Sequence, residues 1–477
     1  MPVISSRNRK SVILFGNEKE RELIIEGLEA AISSVSPDTL IENELHIDSD
    51  HIVVPRIRLR YDLKEFDKII VVGGGKASGF LAQGLEQKMG KYISSGYVNI
   101  LQGTKRLFHT KRIVLNEASH PVPDQAGVRG AREMAKLLRG LDRHGFAICL
   151  ISGGGSSLMP LPAKGITLGD QILTTDLLLR CGANIDQMNC VRKHISAISG
   201  GQLVREGNGA RFLSLIISDV VGDHLESIAS GPTTPDPTTF ADAKRILSNL
   251  KLFDQVPRRV RRRIGAGCRG LIKDTPKPGD PLFSSVTNVI IGSNTLACKG
   301  AKRQLVRMMQ HPISVKYLGS AIVGEASLVA RNLVADAQKF GKRSRRPYSV
   351  LVWGGETTVT VKGQGVGGRN QEQALSALQA IGETSDKTVT IGFFGTDGVD
   401  GKTEAAGALV DFSTYRKAIQ LGLDANKYLK ENDSNSFFRK VGKSLVITGP
   451  TGTNVNDIGI AVIARKRKLF GKRGVHQ

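Results

Sequence analysis

Short apolar runs that stop abruptly at glycine organise the first half of this chain. Residues 68–72 form one such run. Gly73-Gly74-Gly75-Lys76 follows it, and Phe80, Leu81, Leu85 and Met89 then recur at roughly helical spacing. That order reads as strand, loop, helix. It returns at 147–151 with the loop Ser152-Gly153-Gly154-Gly155-Ser156-Ser157, and at 212–217 with Ser218-Asp219-Val220-Val221-Gly222-Asp223. Such alternation predicts an α/β fold, a parallel Rossmann-like sheet flanked by helices, with ligands gathered at the carboxyl ends of its strands.

The pattern breaks between about 251 and 282. There arginines at 259–263 and the run Lys273-Asp274-Thr275-Pro276-Lys277-Pro278-Gly279-Asp280-Pro281 mark a loop-like boundary. Beyond it, strands are expected at 286–291, 315–318, 349–353, 357–361, 389–394 and 445–448, with helices from Thr295 and around 325–340. Residue 357 follows its predecessor too closely for a helical crossover, so the second sheet should be mixed. Two α/β domains result, at 20–255 and 283–465. No short-period repeat is visible.

A length of 477 residues agrees with two cores. No apolar stretch reaches the ~18 residues of a membrane helix and the start lacks the apolar core of a secretory signal, which gives a cytoplasmic expectation and no membrane partner. Five cysteines without CxxC spacing argue against a disulfide framework and a zinc site. The net charge of +23 would suit nucleic acid, but the basic clusters at 258–263, 342–346 and 465–472 lie in loop-like or terminal segments without interleaved aromatics. A solvated surface that also attracts anionic substrates is the better reading, with polyanion contact as its alternative.

The glycine loops carry the chemistry. Glycine lets backbone N–H groups close on an oxyanion, and a following helix adds its positive end. The first loop is no Walker A, since Ile70 stands where a glycine is required. Gly363-Gln364-Gly365-Val366-Gly367-Gly368 satisfies GxGxxG by letter only. Gly74, Gly75, Ser152, Gly153, Gly154, Gly155, Ser156 and Ser157 are candidate phosphate contacts, with a plain tight turn as the alternative. Lys76 could reach a transferring phosphoryl group or be an exposed loop lysine. Arg369, after Gly367-Gly368, could grip a carboxylate or phosphate bidentately or close a helix-end ion pair. Asp219 and Asp223 could support a metal or cap a helix, and Glu356, Asp397 and Asp400 are further acidic candidates, with Asp400 ranked last. Arg192, Lys193 and His194 form a cationic cluster suited equally to substrate binding and to helix packing, and His194 alone reads as structural.

In order along the sequence, Val72-Gly73-Gly74-Gly75-Lys76-Ala77, Ile151-Ser152-Gly153-Gly154-Gly155-Ser156-Ser157, Asn189-Cys190-Val191-Arg192-Lys193-His194-Ile195-Ser196, Ser218-Asp219-Val220-Val221-Gly222-Asp223, Ser230-Gly231-Pro232-Thr233, Gly354-Gly355-Glu356-Thr357-Thr358-Val359, Gly367-Gly368-Arg369-Asn370-Gln371-Glu372 and Gly395-Thr396-Asp397-Gly398-Val399-Asp400-Gly401 resemble the glycerate 2-kinase family carrying a MOFRL domain. The resemblance implies ATP-dependent phosphorylation of D-glycerate at its 2-hydroxyl. It points to Lys76 and Arg369 as the catalytic pair; on the reading of the residues themselves, Lys76, Arg192 and Arg369 are the expected substrate contacts and Asp219 the expected nucleotide contact. Mg²⁺ would be held by Asp219, Glu356 and Asp397. Because Lys76 and Arg369 come from different halves of the sequence, it also implies an active site in the cleft between the domains. A homodimer is compatible with the resemblance, although the residues do not set the assembly. Related proteins have carried the name hydroxypyruvate reductase, so a nicotinamide-dependent reductase is the rival enzyme.

Overall fold

The computed structural model describes residues 6–308 and 313–465. It divides into two compact units, one of Val35–Ser293 with Gly452–Val455, the other of Met1–Ser34, Asn294–Thr451 and Asn456–Gln477. These bounds differ from the expected 20–255 and 283–465 at both ends. Helix Glu18–Ser34 belongs with the later residues, where its buried Leu23, Ile24, Leu28 and Ala31 contribute to the core and Arg21 forms a fully buried ion pair with Asp411 at 2.7 Å.

The unit built on Val35–Ser293 carries a six-stranded sheet in the order Ile113–Ala118, Ser95–Leu101, Lys68–Gly74, Gly145–Ile151, Arg211–Ile217, Val286–Gly292. Every pairing is parallel. Gly145–Ile151 is buried throughout, as a strand covered by helices on both faces must be. Numbered by sequence order, the strands run 3-2-1-4-5-6, the doubly wound arrangement whose crevice lies where the order reverses, between Lys68–Gly74 and Gly145–Ile151.

The other unit holds a mixed seven-stranded sheet in the order Ser314–Tyr317, Tyr348–Thr358, Asp457–Ala464, Val389–Gly395, Gly407–Val410, Leu445–Val446, with Ile322–Glu325 also on Tyr348–Thr358. The mixture was expected for another reason. Residues 348–358 form one continuous strand, and residues 359–361 are not a strand of their own. The sheet is mixed because Asp457–Ala464 enters it antiparallel to both neighbours, whereas Ser314–Tyr317 and Ile322–Glu325 pair parallel. Gly354 and Gly355 let that strand pass close to its surroundings, since a Cβ would overlap the Asn294 side chain at the first and the Ile322 carbonyl at the second.

The basic cluster at 258–263 is helical, not loop-like. Helix Arg258–Cys268 buries Val260 and Ile264 and leaves most of its arginines on the outer face. The residues at 342–343 end helix Ala326–Arg343. Of the cluster at 465–472, only Arg465 lies within the described residues.

Candidate functional site

At the reversal point of the parallel sheet two glycine loops interlock. Gly73 and Gly75 both hold φ +151°, and a Cβ would overlap the Leu150 carbonyl at the first and the Ser152 side chain at the second. The Lys76 N–H donates to the Gly153 carbonyl at 2.9 Å and the Ala77 N–H to Ser152 Oγ at 3.0 Å. Gly75 and Ser78 likewise donate to the carbonyls of Asn99 and Gly75. The first loop therefore turns these amides inward, those of Lys76 and Ala77 holding the second loop, and its outward chemistry is the Lys76 side chain. Ser152, 1% exposed, bonds Ala77 and lies 3.2 Å from the Ser78 hydroxyl, which makes it a brace between the loops.

Lys76 is partly buried, and among the described residues no carboxylate pairs with it. Gly154, at φ +80°, lies against it. A Cβ there would stand 3.4 Å from Lys76 Cγ and 2.9 Å from His120 Cδ2. His120, just past strand Ile113–Ala118, was not singled out from sequence, and its place beyond a parallel strand's carboxyl end is the signal that could have found it. Burial first, and the Lys76 charge second, lower its pKa to about 4, so its imidazole is neutral at physiological pH. The Asp219 carboxylate abuts Gly153, where a Cβ would overlap it.

Ser156 Oγ lies 2.9 Å from Ser230 Oγ, which donates to Asn189 Oδ1 at 3.1 Å. Ala229, Ser230 and Gly231 hold φ +50°, +59° and +61° in succession, a left-handed run that costs two side-chain-bearing residues about 1 kcal/mol or more each. Its effect is to place Ser230 against Ser156.

Helix Ile185–His194 sorts its cations. Lys193 Nζ stands 3.4 Å from Asp236 Oδ1 in a buried pair. His194 bonds Asp274 at 2.9 Å through Nε2 and the Cys190 carbonyl at 2.7 Å through Nδ1. Burial lowers its pKa, but the bonds to Asp274 and to Cys190, with the Asp236 charge, together outweigh this and carry it up to about 9. These two are packing groups. Arg192 has no hydrogen-bond or ion-pair partner among the described residues, and burial lowers its pKa. It lines a cavity together with Ser156, Ser199 and Ser230.

Arg369 opens helix Arg369–Glu383 in the other unit. Nε donates to Asp457 Oδ2 at 2.6 Å, Nη2 to Asp457 Oδ1 at 3.0 Å and Nη1 to Glu356 Oε1 at 2.7 Å. Three of the five N–H donors of a guanidinium are thus engaged. Burial acts to lower its pKa, and Asp457 and Glu356 more than reverse that. Asp457, also absent from the sequence candidates, is raised to about 6 by burial while Arg369 pulls the other way. Asp400, 2% exposed, accepts from the amides of Asn370 at 3.0 Å and Gln371 at 2.8 Å, which makes it a brace for the helix start. Asp397 accepts from the Val399 amide at 3.1 Å. Among the described residues no three His, Cys, Asp or Glu side chains converge as a metal site.

The GxGxxG letters are not a dinucleotide turn. Gly363 and Gly365 pack on the backbone of Glu431–Asp433, and Gly368 packs on Asp400. The preceding strand, Tyr348–Thr358, pairs antiparallel with its neighbour Asp457–Ala464.

Two family models match in succession along the chain. A domain of unknown function, DUF4147, matches residues 24–265, and the MOFRL family matches 349–457. A protein of Pyrococcus horikoshii named glycerate 2-kinase is 42% identical, covering 94% of this chain and 98% of its own. The solved structure of a glycerate kinase from Thermotoga maritima superposes with TM-score 0.80 at 34% identity, over 96% of this chain and 99% of that one. A relative from Agrobacterium vitis, 35% identical over 93% of this chain and 94% of its own, carries a provisional hydroxypyruvate reductase name.

Proposed function

This chain belongs to the glycerate 2-kinase family, and from that premise we propose that it transfers the terminal phosphoryl group of ATP to the 2-hydroxyl of D-glycerate, yielding 2-phosphoglycerate and ADP. The observation that carries this reading is Lys76, a cation without a carboxylate partner among the described residues, set between glycine loops at the reversal point of a parallel sheet. Phosphoryl transfer asks a protein chiefly for positioning and for charge that meets the charge spread over the transferring group. Lys76 supplies the second. His120, neutral beside it, can hydrogen-bond an oxygen of donor or acceptor without adding charge.

Arg369 is held by Asp457 and Glu356, and the two N–H donors left to it are the ones that would meet the glycerate carboxylate or a phosphate oxygen. Bound Mg²⁺ would neutralise phosphate charge, and such an ion needs only one or two carboxylates beside the phosphates. Asp219, against Gly153, fits that requirement. Glu356, which also engages Arg369, and Asp397, which accepts from its own loop, are the other candidates. No described helix is long and apolar enough to cross a membrane, which is compatible with work in the cytoplasm.

The GxGxxG letters give a nicotinamide reductase no support, because Gly363 and Gly365 pack on Glu431–Asp433 and Gly368 on Asp400, and they do not form a dinucleotide turn. The deciding experiment supplies the purified protein with ATP, Mg²⁺ and D-glycerate in one vessel and with hydroxypyruvate and NADH in another. Formation of ADP with 2-phosphoglycerate, told from the 3-phosphate by ³¹P NMR, is expected. NADH oxidation without ADP formation would replace this reading by the reductase.

A further inference from the structure

A cavity of about 590 Å³ opens within the unit of Val35–Ser293. Its apolar wall includes Val122, Met159, Leu161, Ile172, Leu173 and Leu179. Three of these stay in water, with Val122 58%, Leu173 47% and Leu179 59% exposed. Leu173 and Leu179 stand on helix Leu168–Arg180, whose start is fixed by the Thr167–Asp170 capping box, so the wall is a preset surface.

The polar side of the cavity centres on Arg192, which has no side-chain partner among the described residues; Ser157 adds a hydroxyl, those of Ser156, Ser199 and Ser230 already bond Ser230, Ser196 and Asn189, and Asp176 is the one carboxylate in the described lining. Behind Ser230, Asn189 is 4% exposed. Its Oδ1 accepts from Ser230, but its Nδ2 is buried with no acceptor. Asn189 stands outside the lining, so the unpaired Arg192 guanidinium sets the charge of the ligand. The ligand must then be anionic at one end and apolar over a broad area at the other. Glycerate, a three-carbon acid, has no surface to lay on the apolar wall. A nucleotide has both, and the volume lies in the usual range of roughly 300–1,000 Å³ for such ligands.

We propose that this cavity seats the base and ribose of the nucleoside triphosphate donor, with its phosphates led past Arg192 toward the Ser156–Ser157 end of the glycine loop. The assignment rests on the kinase reading and adds where the donor lies. Arg192 then binds the donor's phosphates, and acceptor recognition falls to other groups.

Calorimetric titration of the full-length protein with ADP, with adenosine and with inorganic phosphate separates the parts. Leu173→Asp puts a charge on the wall at a half-exposed position, and Arg192→Met removes the cation while keeping bulk. Leu173→Asp should raise the Kd of ADP tenfold or more and abolish adenosine binding, with the glycerate KM within twofold of wild type. Arg192→Met should weaken ADP about tenfold and leave adenosine as it was. Circular dichroism melts matched to wild type establish that both variants are folded, and Leu173→Ala serves in place of Leu173→Asp should the charge disturb the helix. An unchanged ADP Kd in the Leu173 variant, a tenfold rise in glycerate KM alone, or failure of the wild-type protein to bind ADP would each overturn the proposal. The titration needs no acceptor, so wild-type ADP binding that is lost in Leu173→Asp, in a protein that does not phosphorylate glycerate, would uphold the cavity and remove the acceptor assignment.

Discussion

Lys76 and Arg369 each follow glycines and stand near the start of a helix, yet the surroundings of the two cations are opposite. Around Lys76 the neighbours are glycine, serine hydroxyls and a histidine kept neutral, and no described carboxylate pairs with the ammonium. Around Arg369, Asp457 grips the fork from one side and Glu356 from the other, with Asp400 bracing the backbone. A cation of the first kind keeps its charge for a ligand. One of the second kind is oriented by its own protein, and its value lies in geometry. The same sequence signature therefore divides into a cation without a described carboxylate partner and a fork positioned by two carboxylates.

The sharpest way to break this contrast is Lys76→Ala. It should lower kcat by about 10²-fold or more, with the thermal midpoint little changed because no internal ion pair is lost. A folded variant with near-normal kcat would remove Lys76 from the chemistry. Arg369 should respond differently. Arg369→Lys keeps charge but loses the fork, so it should cost kcat/KM nearly as much as Arg369→Ala, about ten- to hundredfold by steady-state kinetics with each substrate varied. Both should also lower the thermal midpoint, since the Asp457 carboxylate, 6% exposed, is left buried with a weakened partner. Near-wild-type behaviour of Arg369→Lys beside a crippled Arg369→Ala would mean that charge alone suffices there.

The contrast repeats within one helix, where Arg192 has no side-chain partner among the described residues and His194 is held by Asp274. His194 titrates near 9 when folded against an ordinary value of 6.5. Its contribution to stability is therefore full below about pH 6.5 and fades as pH rises through about 9, with a ceiling on the order of 3 kcal/mol. Denaturation of wild type and His194→Gln should show their largest stability gap near pH 6 and a shrinking one toward pH 9.5. A gap independent of pH would show that His194 contributes packing and not charge. Smallest of all should be the effect of replacing Arg258, Arg259, Arg261 and Arg262 with Gln. They sit on helix Arg258–Cys268 and are absent from the described cavity lining, so the glycerate KM should stay within about twofold while salt-sensitive polyanion binding weakens.

Much of this was legible along the sequence. Strands Lys68–Gly74, Gly145–Ile151 and Arg211–Ile217 begin and end within two residues of their expected places, because a buried parallel strand is a continuous apolar run closed by glycine or a polar residue. Helix Arg258–Cys268 was missed because its arginines outweigh Val260 and Ile264 in composition, although those two suffice to seat it. The split of 348–358 into two strands failed because Gly354 and Gly355 look like a turn, whereas here they let neighbouring groups close on a strand that continues. Asp457 carried no local mark, Asn189 stood in the motif at 189–196 without a role of its own, and His120 was marked only by its place beyond the carboxyl end of a strand.

The sequence alone determined the alternation of strand, loop and helix, the glycine positions at the reversal point and the identity of the two candidate cations. Each of these depends on a few adjacent residues and on backbone sterics. The tertiary structure decided which cation is neutralised. Arg369 meets Asp457 across 88 positions of sequence and Lys193 meets Asp236 across 43, while Lys76 and Arg192 meet no carboxylate among the described residues. Charge compensation and desolvation are set by what packs within a few ångströms, and that neighbourhood is assembled from distant parts of the sequence only when the protein folds.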